Sequence, residues 1–381
     1  MREENALAAY LASINGVGRR SLYKLLNESG SLKGIFDMNK EEIVSCVGLK
    51  PAQAIRALIG SGDTQYYHKC LERGTALLKR YESEGIRCIS CRSGEFPQRL
   101  RKIPDPPFCI YVKGELPPLQ MPCVAMIGAR ACSAYGRSVA YSYGKELALA
   151  GVGVISGMAR GIDGIAQEGA VTAGGKTFAV LGGGVDYCYP AEHRGLYDAI
   201  CQTGGVISEY VPGTEPRANF FPERNRIISG MADIVLVIEA KKRSGTYITV
   251  TQALEQGKEV YAVPGRVTDL LSDGCNSLIK DGAGLADSVP TILDALSSYG
   301  YGVGRFQTGS AGKIEEEVVG ENDIRSRILS LLDLTPLHLN RIYEEMNKVK
   351  PVPMETLITE LVGLELDGIA ESCGNYYVKK C

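Results

Sequence analysis

The residues of this 381-residue chain best suited to chemistry are cations set beside flexible backbone. Arg130 and Ser133 stand in GARACSAYG (128–136), Lys176 in GGKT (174–177), and Phe220, Phe221, Arg224, Asn225 and Arg226 in one short run. Lys241, Lys242, Arg243, Ser244, Gly245 and Thr246 follow as KKRSGT. Residues 217–243 carry six basic against three acidic side chains, in a protein whose formal charge is −2. A focused positive strip of this kind attracts phosphates even where the whole molecule does not. Two phenylalanines beside Arg-Asn-Arg supply faces on which bases stack, a combination that holds a single strand without reading its sequence. The same residues equally suit ion pairs and helix caps around a small-nucleotide pocket, and spacing alone leaves the two readings open.

Other chemistries find little to work with. The three histidines, His68, His193 and His338, are far apart, and twelve cysteines are scattered, with only Cys88 and Cys91 forming a CxxC and no second pair at ligand spacing. We expect reduced thiols, no metal and no cofactor. Gly128 stands alone after its strand, with Arg130 where a dinucleotide fingerprint needs a second glycine. GGKT fails as a phosphate loop because Ala170 occupies the first glycine position and the motif precedes a strand. An enzymatic alternative, a nucleotide-binding phosphoribohydrolase-like protein using Asp163, Glu209 and Glu239, conflicts with charged KRSGT in the turn where such enzymes carry a glycine-rich PGGxGT. The apolar stretch from Ala6 to Ile14 is too short for a leader and follows Glu3 and Glu4, and no apolar run reaches ~18 residues, so a cytoplasmic protein without a membrane span is expected.

Three units must position these residues. Residues 1–81 read as short helices broken by glycine turns, and Ile14–Gly18 followed by Arg19 and Arg20 forms the h-x-G-h-G turn of a helix-hairpin-helix. Over 82–298, β-branched runs alternate with helices, with strands expected at 124–127, 152–155, 178–181, 205–209, 234–239 and 259–263. Parallel strands need a crossover helix, so the alternation predicts an α/β, extended Rossmann-like, doubly wound, mostly parallel sheet with ligands beyond the strand carboxyl ends. A glycine-rich linker is expected over 299–320. Residues 321–381 read as three helices and a hairpin, a winged-helix pattern. Its expected recognition helix, 353–362, carries Glu355 and Glu360 but no cation, which favours protein docking over DNA reading.

At the glycine loops the sequence resembles the bacterial DNA-processing protein A (DprA/Smf) family. The resemblance rests on MIGARACSAYG, ISGMARGIDGIAQEGA, GKTFAVLGGGVDYCYP, FFPERNRIISG, VIEAKKRSGTYIT and NSLIKDGA, in order over about 160 residues. The flanks are similar to that family's sterile-alpha-motif-like amino-terminal region and carboxyl-terminal winged helix. The resemblance implies a non-enzymatic homodimer that binds single-stranded DNA and helps load the RecA recombinase during natural transformation. Carried over position by position, the DNA contacts are Arg130, Ser133, Ser156, Gly157, Lys176, Phe221, Arg224, Asn225, Arg226, Arg243, Ser244, Gly245 and Thr246, and Lys241 and Lys242 extend the cationic run. Gln167, His193 and Val250 depart from the family pattern, where histidine, asparagine and alanine are common.

Overall fold

The computed structural model describes residues 2–59, 64–302, 324–332 and 336–379. The described residues divide into two compact units, the first within residues 1–132 and 139–305, the second within residues 133–138 and 306–381. Of the linker expected over 299–320, residues 303–320 lie outside the described residues.

The first unit opens with α1 (Arg2–Ala12), α2 (Arg19–Ser29), α3 (Gly34–Asp37), α4 (Lys40–Val47), α5 (Leu49–Ile59) and α6 (Thr64–Ser83). Small residues let α1 and α6 touch backbone to backbone. Gly74 lies so close to the Ala6 carbonyl that a Cβ there would overlap it. Asn39 and Glu42 close a capping box at the start of α4, satisfying two amides that a helix end leaves free. Ala6–Leu11 are buried in the same hydrophobic cluster as Ile110, Ile207 and Val235, so these helices and the strands that follow share one core.

Nine strands form the main sheet: β1 (Ile86–Ser90), β2 (Cys109–Gly114), β3 (Cys123–Ile127), β4 (Gly153–Ser156), β5 (Thr177–Val180), β6 (Gly205–Ser208), β7 (Ile234–Val237), β8 (Glu259–Ala262) and β9 (Gly284–Leu285). Their order is β1-β2-β6-β5-β4-β3-β7-β8-β9. Every pair from β6 across to β9 is parallel, and β2 runs antiparallel to both its neighbours. The intervening helices are α7 (Gln98–Arg101), α8 (Ala134–Leu149), α9 (Ile162–Thr172), α10 (Arg194–Thr203), α11 (Phe220–Met231), α12 (Thr246–Glu255), α13 (Asp273–Lys280) and α14 (Val289–Ser298).

Both sheet faces are covered, which explains why the strands read as continuous apolar runs. Along β3, Val124 and Met126 enter one core while Cys123, Ala125 and Ile127 enter the other; β7 divides Ile234 and Leu236 from Val235 and Val237 in the same way. The chain winds outward from β3 through β4, β5 and β6, then returns to add β7 on the other side of β3. That reversal opens a crevice at the carboxyl end of β3, where an open α/β sheet binds its ligand.

The second unit contains α15 (Ile324–Leu331), α16 (Leu339–Val349) and α17 (Met354–Leu366) with strands β10 (Leu337–His338), β11 (Ala370–Cys373) and β12 (Tyr376–Lys379). Leu357, Leu361 and Leu364 project from α17 into a core with Ile328 and Ile342. Gly374, at φ +64°, makes the tight turn between β11 and β12.

Candidate nucleic-acid interface

The loop leaving β3 is shaped by glycine. A Cβ on Gly128 would sit 2.6 Å from Ile162 Cγ1 and 2.9 Å from the Glu239 carbonyl, so only glycine lets the loop pass. The Ala129 amide donates to the Glu239 carbonyl at 2.8 Å, and its carbonyl accepts from the Ile162 amide at 3.2 Å. Held at both sides, the loop presents Arg130 to solvent. Its guanidinium lies 5.3 Å from the centre of the Phe221 ring, close enough for a cation–π contact. Tyr189 lies on the same ring, with centroids 5.4 Å apart. Arg130, Tyr189, Phe221, Asn225 and the Ser244–Thr246 turn line a cleft of about 640 Å³.

The opposite wall is the amino end of α12. Arg243 turns the chain in the left-handed region at φ +61°, and Gly245 precedes the helix without a side-chain cap. The Gly245 and Thr246 amides meet no acceptor among the described residues, and the buried Ser244 hydroxyl likewise lacks a hydrogen-bond partner. Free amides at a helix start form an anion-binding end. Lys241 and Arg243 beside it are exposed and make no ion pair among the described residues, whereas Lys242 reaches Asp273 at 3.3 Å.

Several expected contacts have other positions. Arg224 is 3% exposed, and Nη1 donates to the carbonyls of Gly157, at 2.9 Å, and Val180. Burial pushes its pKa down to about 10, against the attraction of Asp163. Its guanidinium therefore ties the ends of β4 and β5 together and forms the floor of the cleft. Gly157 is buried beneath it, its amide donating to Asp163 Oδ2 at 3.1 Å. Asp163 is held above its ordinary pKa by burial, with Arg224 and the Gly157 amide pulling the other way. Ser156 is fully buried and donates to the Met126 carbonyl at 2.6 Å.

Arg226 leaves α11 on the side away from Arg224 and pairs with Glu209 and, at 3.7 Å, with Asp105. Arg19, the first residue of α2, joins the same cluster, at 2.7 Å from Asp105 and 3.0 Å from Glu223. These two guanidiniums fasten the helical region to the sheet. Lys176 lies at the amino end of β5, opposite the cleft, and pairs with Glu115 at 2.7 Å. Ser133 caps α8, its Oγ accepting from the Gly136 amide at 3.0 Å.

Gln167 and His193, two of the departures from the family pattern, grip the two peptide groups on either side of one residue, Met158. Gln167 Oε1 accepts from the Met158 amide, and His193 Nδ1 lies on the Met158 carbonyl, both at 3.0 Å. Met158 itself is held at φ +52°. Tyr189 and Asp163 also line the cleft, beyond the contacts expected from the sequence. An aromatic directly before proline in DYCYP is the signal for Tyr189, while Asp163 stands out only as a strand-end carboxylate, which makes it a candidate of the enzymatic alternative and not a DNA contact.

Fold and site together define an α/β protein with a mostly parallel sheet and a cation-rimmed, aromatic cleft at its topological switch. More particularly, the chain belongs to the DNA recombination-mediator protein A family, whose model matches residues 87–297. It is 44% identical over 202 residues to the DNA processing protein DprA of Streptococcus pneumoniae, spanning 52% of this chain and 70% of that protein. With the Bacillus subtilis DprA it shares 36% identity over 243 residues, covering 64% and 81% respectively. The X-ray structure of S. pneumoniae DprA superposes with a TM-score of 0.63 at 33% identity, over 76% of this chain and 97% of that one. A Helicobacter pylori DprA structure, described for its single-stranded DNA binding mode, gives a TM-score of 0.51 at 28% identity, over 56% and 96%. The family assignment makes a DNA-processing, recombination-mediator role the protein's role.

Proposed function

We propose that this chain binds single-stranded DNA in the cleft beyond β3, β4 and β7, holding the sugar-phosphate backbone without regard to base sequence. The observation that carries the reading is the meeting of exposed Arg130, set over the Phe221 ring that Tyr189 also packs against, with the uncapped end of α12. Phosphates lie against the Gly245 and Thr246 amides, the Ser244 hydroxyl and the cations Arg130, Lys241, Lys242 and Arg243, while bases turn toward Phe221, Tyr189 and Asn225. Arg224, Gly157 and Ser156 set the floor on which this rests. The single-stranded DNA binding described for the H. pylori relative supports the same ligand here.

The finer parts of the role come from the family resemblance: loading of the RecA recombinase on incoming strands during transformation, a homodimer, and a cytoplasmic, non-catalytic protein. Two clefts in a symmetric dimer let one strand bridge them and raise its apparent affinity. The helices before β1 act as the sterile-alpha-motif or helix-hairpin-helix-like region. The second unit is read as a winged helix whose α17, bearing Glu355, Glu360 and Glu365 and no cation, docks protein in preference to DNA. Among the described residues no helix is long and apolar enough to cross a membrane. Competition of labelled oligo-dT by unlabelled mixed-sequence single strands and by duplex tests the ligand. Equal competition by all single strands and weak competition by duplex is the expected result; preference for duplex would contradict it.

A further inference from the structure

A second cleft of about 630 Å³ lies on the far side of the start of α11. Phe220 and Phe221 are adjacent at that helix start, and they serve different cavities: Phe221 lines the first cleft and Phe220 the second. Phe220 stacks on Tyr210 with ring centroids 4.1 Å apart and planes 24° from parallel, and the exposed Arg217 guanidinium stands 5.8 Å from its centre. Across the cavity runs the Gly16–Val17–Gly18 turn. Gly18 faces open space, with nothing within 4 Å of the position a Cβ would take.

The charge of the lining decides what can enter. One guanidinium, Arg19, faces two carboxylates, Glu209 and Glu223, and is already paired with Glu223 and with Asp105. A phosphate is repelled from such a pocket, so the glycine turn does not act here as a phosphate clamp. An uncharged, flat group meets no such penalty and finds an aromatic stack, while an exposed cation remains at Arg217 and the exposed Arg20 pairs with Asp105 at 3.5 Å. Volumes of ~300–1,000 Å³ are typical of small-ligand sites.

We propose that this second cleft, between the Gly16–Gly18 turn and the Tyr210–Phe220 stack, seats unstacked bases of the same strand that the first cleft holds. The strand crosses the start of α11 with its phosphates outside, and the amino-terminal helical region thereby becomes part of the DNA footprint. The inference rests on the single-stranded DNA reading and extends it by one subsite.

Gly18 makes the test clean. It is the N-cap of α2 in an ordinary extended conformation, φ −81° and ψ 159°, where aspartate and asparagine are favoured caps. Gly18→Asp keeps the helix capped and puts a negative charge in the second cleft, and Gly18→Asn is its neutral control. Fluorescence anisotropy with oligo-dT of about six and about twenty nucleotides separates one-cleft from two-cleft binding. Gly18→Asp and Phe220→Ala are expected to weaken the longer strand by about fivefold or more, leaving the shorter within about twofold, with Gly18→Asn like wild type. Unchanged affinity of both variants for the longer strand, with the shorter still bound, overturns the second subsite alone. Failure of the wild type to bind either length overturns the first reading together with it.

Discussion

Arg224 closes over the backbone of Gly157: Nη1 donates to the Gly157 carbonyl at 2.9 Å, and a Cβ on that glycine would lie 2.5 Å from Nη2. A guanidinium so placed is part of the scaffold, and its removal leaves the carbonyls of Gly157 and Val180 without a donor. We expect Arg224→Ala to lower stability by about 3 kcal/mol, as for breaking a buried charged network. Urea denaturation checks this; an unchanged midpoint would contradict the scaffold role.

Gly128→Ala tests the loop that carries Arg130. The added methyl would press on Ile162 and the Glu239 carbonyl, costing about 1–3 kcal/mol if the fold yields. Thermal unfolding should show the loss, together with weakened binding as Arg130 shifts from Phe221. Full stability and full binding would mean the loop is looser than its packing indicates.

Arg243 separates strain from function. A left-handed conformation costs a non-glycine residue ~1–2 kcal/mol, partly offset in Arg243→Gly by the greater entropy of unfolded glycine. The variant is therefore expected to be as stable as wild type or more stable by up to ~1 kcal/mol, yet to bind single strands less tightly. Equal affinity, measured by anisotropy, would remove Arg243 from the rim.

Asp163 gives a pH signature. Burial holds its carboxyl above the ordinary value of 3.8, so in the window between 3.8 and the raised value the native state keeps the proton more firmly than the unfolded chain. Its contribution to stability is thus full below the unfolded value and is lost as pH rises through the folded one. Asparagine cannot titrate. The stability of the wild type relative to Asp163→Asn should therefore increase as pH falls from neutral toward the unfolded value; a gap independent of pH would contradict the raised assignment.

The sheet was readable in the sequence because strands buried on both faces are unbroken apolar runs, as Cys123–Ile127 and Ile234–Val237 show. β1 and β2 have no such signal: IRCIS and CIYVKG are short, with Arg87 and Lys113 interrupting, and only their antiparallel pairing identifies them. The cationic strip was legible as composition but not as geometry. At ~100° per helical residue, Arg224 and Arg226 point nearly opposite ways from α11, so no single groove holds both. Lys176 precedes a parallel strand, which puts it at the edge of the sheet away from the ligand crevice. What one chain cannot disclose by spacing is which cation meets a buried carboxylate from another segment, as Arg226 meets Glu209.

In the proposed binding mode Arg130, Lys241, Lys242 and Arg243, with the open end of α12, hold a single strand by its phosphates. Its most direct test is the affinity for oligo-dT at about 50 and 200 mM salt, in wild type and in an Arg130→Ala, Arg243→Ala double variant. Four neutralised phosphates, at a slope of roughly −0.7 each, predict a loss of about fifty-fold for the wild type and about sevenfold for the variant. A wild-type affinity indifferent to salt, or a slope the double variant leaves untouched, would rule out phosphate binding by this rim.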